Sequence, residues 1–241
     1  MRVSQFEVYR LCQRSLEALG AAYGIDRDGA EAVVWLEARG LPGLALFARD
    51  LPALERPGAF AGLTGGAGEV LLDAGGRPAI ALLGGVIDFL RLLAASAKDR
   101  CAQVTLESCL SPLTLLPAAL AACERDDAAE IAWAGISARI GARRLAIAVQ
   151  PGLDLAAALS QAGPVAVRLE LALAQGSGRR FPAPPALSQD DLDEAYVRSL
   201  AEGIEVDDPL WQRLNAIAAR VQVPASEVSR LKGAGGGDAN A

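Results

Sequence analysis

Apolar residues recur every three or four positions along the first fifty residues, the spacing of amphipathic helices. A second helix should begin near Asp26 or Asp28 and end before Gly40, and a third should follow Pro42, because acidic residues suit a first turn, glycine follows a last turn and proline opens a helix. We therefore predict an N-terminal helical module over residues 1–58. Its first helix carries the clearest stripe, formed by Val8, Leu11, Cys12, Leu16 and Leu19.

Short aliphatic runs alternate with helical patterns over residues 59–175, which predicts a mixed α/β (or α+β) domain with a sheet flanked by helices. The strand signal is clearest at 165–173, where the odd positions are apolar and Arg168 and Glu170 are not. The stretch Phe60–Gly68 is rich in glycine and predicts a loop. Further strands are expected at 69–73, 79–83, 103–107, 130–134, 137–140 and 143–149, and helices at 86–97, 112–123 and 154–161.

The remaining chain divides by composition into a linker, helices and a tail. Residues 176–186 are rich in glycine and proline and predict a linker or loop. Residues 187–232 predict C-terminal helices packed on the main body: one after Ser188, one over 209–220 and a short one over 226–232. Residues 233–241 predict a disordered tail.

Composition excludes several classes of function. The chain of 241 residues is 52% hydrophobic, so it can form a core, and its net charge of −6 disfavours nucleic-acid binding. It contains no histidine, which removes histidine-based acid/base catalysis and histidine-ligated metals. The four cysteines form no C-x-x-C pair, and residues 1–10 lack the apolar core of a signal peptide. We expect a cytoplasmic protein without a membrane span, metal or cofactor.

Two segments are candidates for binding a small anionic metabolite. Gly84 and Gly85 follow an apolar run and precede a helix, so their N–H groups could face an anion, although a tight turn without a ligand fits the same sequence. Ser108, Cys109 and Ser111 lie between a predicted strand and a predicted helix. Their side chains could line a pocket with the glycines, or could simply cap the helix and pack.

Cys109 is also the best candidate nucleophile, because amide dipoles at a helix start lower the pKa of a thiol. A cysteine nucleophile needs a base, and without histidine that base would be a carboxylate or a lysine. Carboxylates such as Glu107 and Asp88 are the alternative catalytic candidates. Inert packing of Cys109 is the alternative. The acidic clusters lie at predicted helix starts or in loops, where capping explains them without a metal.

The stretch Tyr23–Leu54 resembles the opening helices of the type-2 malate/lactate dehydrogenases. Residues Ala38–Gly43 stand where that family has its Ser-His-Gly element. The resemblance implies similar helix packing, but the family's catalytic histidine has no counterpart in this chain.

A second resemblance is to an uncharacterised bacterial domain-of-unknown-function family. It is carried by Ala38–Gly43 and by the C-terminal run Val223–Gly235. The family has no known activity, and the resemblance implies that both ends of the chain belong to one unit.

These observations favour a non-catalytic accessory subunit or small-metabolite-binding protein that self-associates or binds a partner protein. The alternative is a small-molecule enzyme that works without histidine, using Cys109 or carboxylates.

Overall fold

The structure is a computed structural model, and it describes residues 1–55, 62–66, 69–174 and 185–221. The predicted tail, the short helix at 226–232 and the run Val223–Gly235 lie outside these residues, as does most of the predicted linker.

Three helices form the N-terminal part, as predicted. They are α1 (Gln5–Ala18), α2 (Ile25–Glu37) and α3 (Gly43–Leu54). Ser4 caps α1 through the backbone N–H of Glu7, and the Glu7 carboxylate accepts the backbone N–H of Ser4 in return. The predicted apolar stripe of α1 is buried apart from Leu19, which is half-buried, and it packs against α2.

A seven-stranded mixed sheet forms the second layer, so the predicted α/β class is confirmed. Its order is β2-β3-β4-β8-β5-β6-β7, in which only β3 and β4 are parallel. The predicted strand at 165–173 is β8, which lies inside the sheet with antiparallel neighbours on both sides. The strands are β2 (Gly62–Gly66), β3 (Glu69–Asp73), β4 (Cys101–Cys109), β5 (Ala128–Trp133), β6 (Ile136–Gly141), β7 (Arg144–Val149) and β8 (Val165–Ala172).

Register across the sheet separates an apolar face from a polar one. A row of residues in register across six strands is apolar and buried, whereas the neighbouring row is mostly charged or polar. Helices α4 (Leu83–Ser96) and α5 (Leu115–Ala122) contact the sheet, and α4 packs on β4 and β8. The buried row is Val70, Val104, Leu169, Ile131, Ala138 and Ile147, and the polar row is Glu69, Gln103, Glu170, Glu130 and Arg139.

Two sequence predictions in this region are wrong. Residues Ala79–Ala81 form a short 3-10 turn that leads into α4, where a strand was expected at 79–83. A short apolar run does not distinguish a buried strand from a buried turn, and only Pro78 pairs here, in a single bridge with Leu110. Within the expected loop at 60–68, Gly62–Gly66 pairs with β3 as strand β2.

Glycine is required in β2, which explains why its composition indicated a loop. A Cβ on Gly65 would lie 2.5 Å from the backbone oxygen of Glu69, and the Gly65 φ of 143° is unfavourable for other residues.

The short helix α6 (Leu155–Leu159) precedes β8, and the C-terminal helices α7 (Gln189–Glu202) and α8 (Asp208–Ala218) follow it. Ser188 and Asp191 form the capping box of α7. Helix α8 packs on α1, and β1 (Arg2–Val3) pairs with β9 (Ile204–Glu205). Leu192, Tyr196 and Leu200 recur at a spacing of four and predict a buried stripe on α7, and this prediction is wrong at Leu200, which is 60% exposed.

Helix length and hydropathy also bear on membrane insertion. Among the helices described here, none combines the length and apolar character that a bilayer crossing requires.

Two helix-start glycines provide a stability test. We expect Gly43→Ala to lower the free energy of unfolding by about 1–3 kcal/mol, because its Cβ would lie 2.5 Å from the backbone oxygen of Val33. Gly85→Ala is the matched control. It meets no atom within 4 Å, and we expect a gain of about 0.5–1 kcal/mol from reduced chain entropy. Urea unfolding measures both, and equal effects would contradict the packing of α3 on α2.

Candidate functional site

The segment predicted to carry chemistry forms a strained corner between β4 and α5. The pairing of β4 with β8 shifts register between Leu106 and Cys109. Ser108 and Ser111 both adopt left-handed backbone conformations, with φ of 53° and 48°, which side chains other than glycine rarely adopt. The corner leaves Ser108 exposed and turns Cys109 and Ser111 into the interior.

Arg49 of α3 closes this corner. Its Nη1 donates to the backbone oxygens of Ser160 and Gln161 at 2.9 and 2.7 Å, and its Nη2 donates to Ser111 Oγ at 2.7 Å. Ser160 is the C-cap residue of α6, so the guanidinium occupies carbonyls that a helix end leaves without intrahelical partners. One side chain therefore joins α3, the end of α6 and the β4–α5 corner.

Asp50 lies beside Arg49 and is almost fully buried, at 3% exposure. Its Oδ1 is 3.5 Å from Arg49 Nε. Burial raises the pKa of the Asp50 carboxyl above its ordinary value, although the hydrogen bond from Ser111 and the charge of Arg49 act in the opposite direction. The carboxylate is thus held by groups of its own chain.

The surroundings of Cys109 oppose thiolate formation. The thiol is buried, and its Sγ lies 3.6 Å from the backbone oxygen of Leu110. Burial, and then the negative charge of Asp50, raise the pKa of Cys109 to about 12. A nucleophilic cysteine requires a lowered pKa, so this environment favours the alternative of inert packing.

Space at the corner is also small. A cavity beside Ser111, lined in addition by Trp133 and Gln161, has a volume of only about 10 Å³. That volume corresponds to about one water molecule and is far below the roughly 300–1,000 Å³ of small-molecule sites.

Gly84 and Gly85 lie elsewhere, at the start of α4. Gly84 lines an open groove of about 490 Å³ that shares no lining residue with the cavity at Ser111. A Cβ on Gly84 would lie 3.5 Å from Asp28 Oδ2, so an anion at this glycine would meet a carboxylate. The structure therefore places Cys109 and Ser111 together around Asp50 and puts the glycines in a separate surface feature.

The carboxylates proposed as alternative catalysts, Asp88 and Glu107, are both exposed. Across the described ranges, no three His, Cys, Asp or Glu side chains come together in a way that could hold a metal ion.

Sequence reasoning missed Arg49 and Asp50, although a signal for one of them exists. Asp50 falls on the buried stripe of α3 between Phe47 and Leu51, and a charged residue in such a stripe indicates a buried polar contact. Its partners are distant in sequence, so the pattern does not reveal them.

At the Ala38–Gly43 element and the residue before it, the charged side chains make aromatic stacking contacts and a helix cap. The Arg39 guanidinium lies 4.2 Å from the Trp35 ring centre and 4.5 Å from that of Tyr196. Its Nη1 donates to the backbone oxygen of Trp35. The Glu37 carboxylate accepts the backbone N–H of Leu44 at 2.7 Å and so caps α3.

Comparison with known proteins agrees with this fold. The model of a family described as a protein of unknown function, DUF3726, matches residues 3–107. No curated protein matches the chain in sequence. A dehydrogenase from Sinorhizobium meliloti superposes with a TM-score of 0.69 at 14% identity, covering 91% of this chain and 99% of that chain.

Two further solved structures are also similar. The sulfolactate dehydrogenase of Methanocaldococcus jannaschii gives a TM-score of 0.62 at 9% identity over 90% of this chain and 96% of that one. The malate dehydrogenase of Pyrococcus horikoshii OT3 gives 0.61 at 12% identity over 94% and 97%. The chain has the fold of these dehydrogenases. Both sequence resemblances are confirmed to this extent, and the family match ends before the run at 223–235.

Cysteine labelling tests the burial of the corner. At about pH 8 we expect iodoacetamide to modify half-buried Cys101 first, and to modify Cys109 only once the protein unfolds, because burial and the raised pKa both suppress its thiolate. Peptide mapping by mass spectrometry measures both rates. Native-state labelling of Cys109 as fast as that of Cys101 would contradict the closed corner.

The raised pKa of Asp50 predicts a pH dependence of stability. Its folded-state pKa lies above the unfolded value, so its charge destabilises the fold as pH rises through that window. Relative to Asp50→Asn, we expect wild type to lose free energy of unfolding as pH rises above about 4, the pKa of an aspartate in the unfolded chain. Asp191→Asn should show the opposite dependence at lower pH: the hydrogen bonds from Ser188 lower the Asp191 pKa, so wild type gains stability over this variant as pH rises towards about 4, and the difference is constant above that. Parallel slopes in denaturant titrations would be inconsistent with this assignment.

Proposed function

We propose that this chain is a non-catalytic protein that uses a dehydrogenase-type fold to bind a small metabolite or a partner protein. The observation that carries the proposal is the closed corner, where Arg49 binds Ser111 and pairs with Asp50, and where Cys109 is buried. A fold does not determine function, so the site decides the interpretation.

Several features support binding without chemistry. The chain has no histidine to transfer a proton, and its best candidate nucleophile is a buried thiol whose pKa is raised. The polar groups at the corner are occupied by contacts within the chain and leave room for about one water.

The cellular setting and partners belong to the same proposal. Four free cysteines and an acidic net charge fit a reduced bacterial cytoplasm and argue against nucleic acid as the partner. A second copy of the chain or another protein would be its macromolecular partner.

One observation favours a second candidate, a reductase that works without histidine. The fold likeness to dehydrogenases supports it, and the exposed carboxylates Glu107 and Asp88 would then supply acid/base chemistry. Cys109 is a poor nucleophile in this candidate because of its burial.

An assay for turnover separates the two candidates. We expect the purified protein to oxidise neither NADH nor NADPH with malate-type or sulfolactate-type oxo acids, while a metabolite screen by thermal shift gives at least one stabilising compound. Absorbance at the nicotinamide band follows the cofactor. Turnover that is abolished by Glu107→Gln or Asp88→Asn would overturn the proposal in favour of the reductase.

A further inference from the structure

The groove between α2 and α5 combines charged groups of both signs that have no partner within the described residues. Asp28, Glu31 and Arg143 line it, and none of these three side chains makes a hydrogen bond or ion pair with another described residue. The carboxylates of two other surface grooves are engaged: Glu55 binds Arg220 at 2.7 Å, and Asp99 accepts the backbone N–H of Cys101.

One face of α2 supplies the acidic side and an aromatic wall. Asp28, Glu31 and Trp35 follow at spacings of three and four, which places them on one side of the helix. The Arg39 guanidinium stacks on the Trp35 ring and also lies 4.5 Å from the centre of the Tyr196 ring. Contacts within the chain therefore restrict Trp35, which lowers the entropy cost of binding against this wall.

The opposite side supplies one positive charge from a strained turn. Ala142 and Arg143 join β6 to β7 with φ of 50° and 60°, a two-residue hairpin conformation that favours glycine or asparagine. Arg143 lines the groove from this turn. The rest of the lining is mostly apolar and includes Ala32, Leu83, Ala118 and Leu120.

We propose that this groove binds a basic α-amino acid of the arginine or lysine class, and this inference rests on the proposed binding function. The groove carries two negative charges and one positive charge, and such a ligand carries the complementary two positive charges and one negative charge. Its two cationic groups pair with Asp28 and Glu31, its carboxylate pairs with Arg143, and its aliphatic stem lies on the apolar lining. The volume of about 490 Å³ falls in the range of small-molecule sites.

Calorimetric titration with four related compounds tests this assignment. We expect L-arginine and L-lysine to bind saturably with one site per chain. L-citrulline has nearly the shape of arginine without the side-chain charge, and agmatine lacks the carboxylate. Each should bind about tenfold more weakly, because each loses one charged contact.

Groove variants with matched controls locate the site. Asp28→Asn, Glu31→Gln and Arg143→Gly should each weaken L-arginine binding about tenfold, and Arg143→Gly should abolish the preference for arginine over agmatine. Glu17→Gln removes an exposed carboxylate outside the groove. Arg100→Gly removes a positive charge and relieves a φ of 56°, as Arg143→Gly does, but also outside the groove. Both controls should leave binding unchanged.

The outcomes distinguish this inference from the proposed function. Absence of saturable binding by L-arginine and L-lysine up to about 10 mM, equal binding of citrulline, or equal loss in the control variants would overturn the groove assignment while leaving a binding role elsewhere intact. Chemical conversion of bound arginine, followed by NMR of the ligand, would instead overturn the non-catalytic function.

Discussion

The packing of α3 against the β4–α5 corner depends on the guanidinium of Arg49. Its hydrogen-bond partners Ser111 and Ser160 lie 62 and 111 positions further along the chain. One side chain therefore fixes α3 against the β4–α5 corner and against the end of α6. Without it, the Gln161 backbone oxygen and the Ser111 hydroxyl would lose a donor in a partly buried place, whereas the exposed Ser160 oxygen can bind water instead. A buried polar group left unsatisfied costs about 1–3 kcal/mol. The same contacts close the corner above Cys109.

The elements that the sequence predicts well are those whose hydrophobic period is long enough to be unambiguous. The stripe of α1 and the alternation of β8 each specify one structure. The run 79–83 is too short to separate a strand from a turn, and the glycines of β2 conceal a strand that needs them for close backbone approach. The polar contacts of Arg49 and the separation of Gly84 from Ser111 depend on long-range packing, which local patterns do not contain.

The fold and the candidate sites together suggest how a dehydrogenase-type scaffold can serve another role. Arg39 of the Ala38–Gly43 element stacks on Trp35, and Glu37, just before this element, caps α3. Both contacts hold helices in place. At the β4–α5 corner, burial raises the pKa of the Cys109 thiol and so opposes nucleophilic chemistry. In the groove along α2, by contrast, Asp28, Glu31 and Arg143 are charged groups at the surface. The fold is shared with dehydrogenases, and the proposed binding function rests on these sites of the chain itself.

The most direct test of this account is the alkylation rate of Cys109 in Arg49→Ala, compared with Arg14→Ala, which removes an exposed arginine of α1. Cys123, buried elsewhere, reports any general loss of structure. The account predicts that Cys109 reacts at least about tenfold faster in Arg49→Ala than in wild type while Cys123 stays protected, and that Arg14→Ala behaves like wild type. An Arg49→Ala protein with wild-type stability and an equally unreactive Cys109 would contradict it.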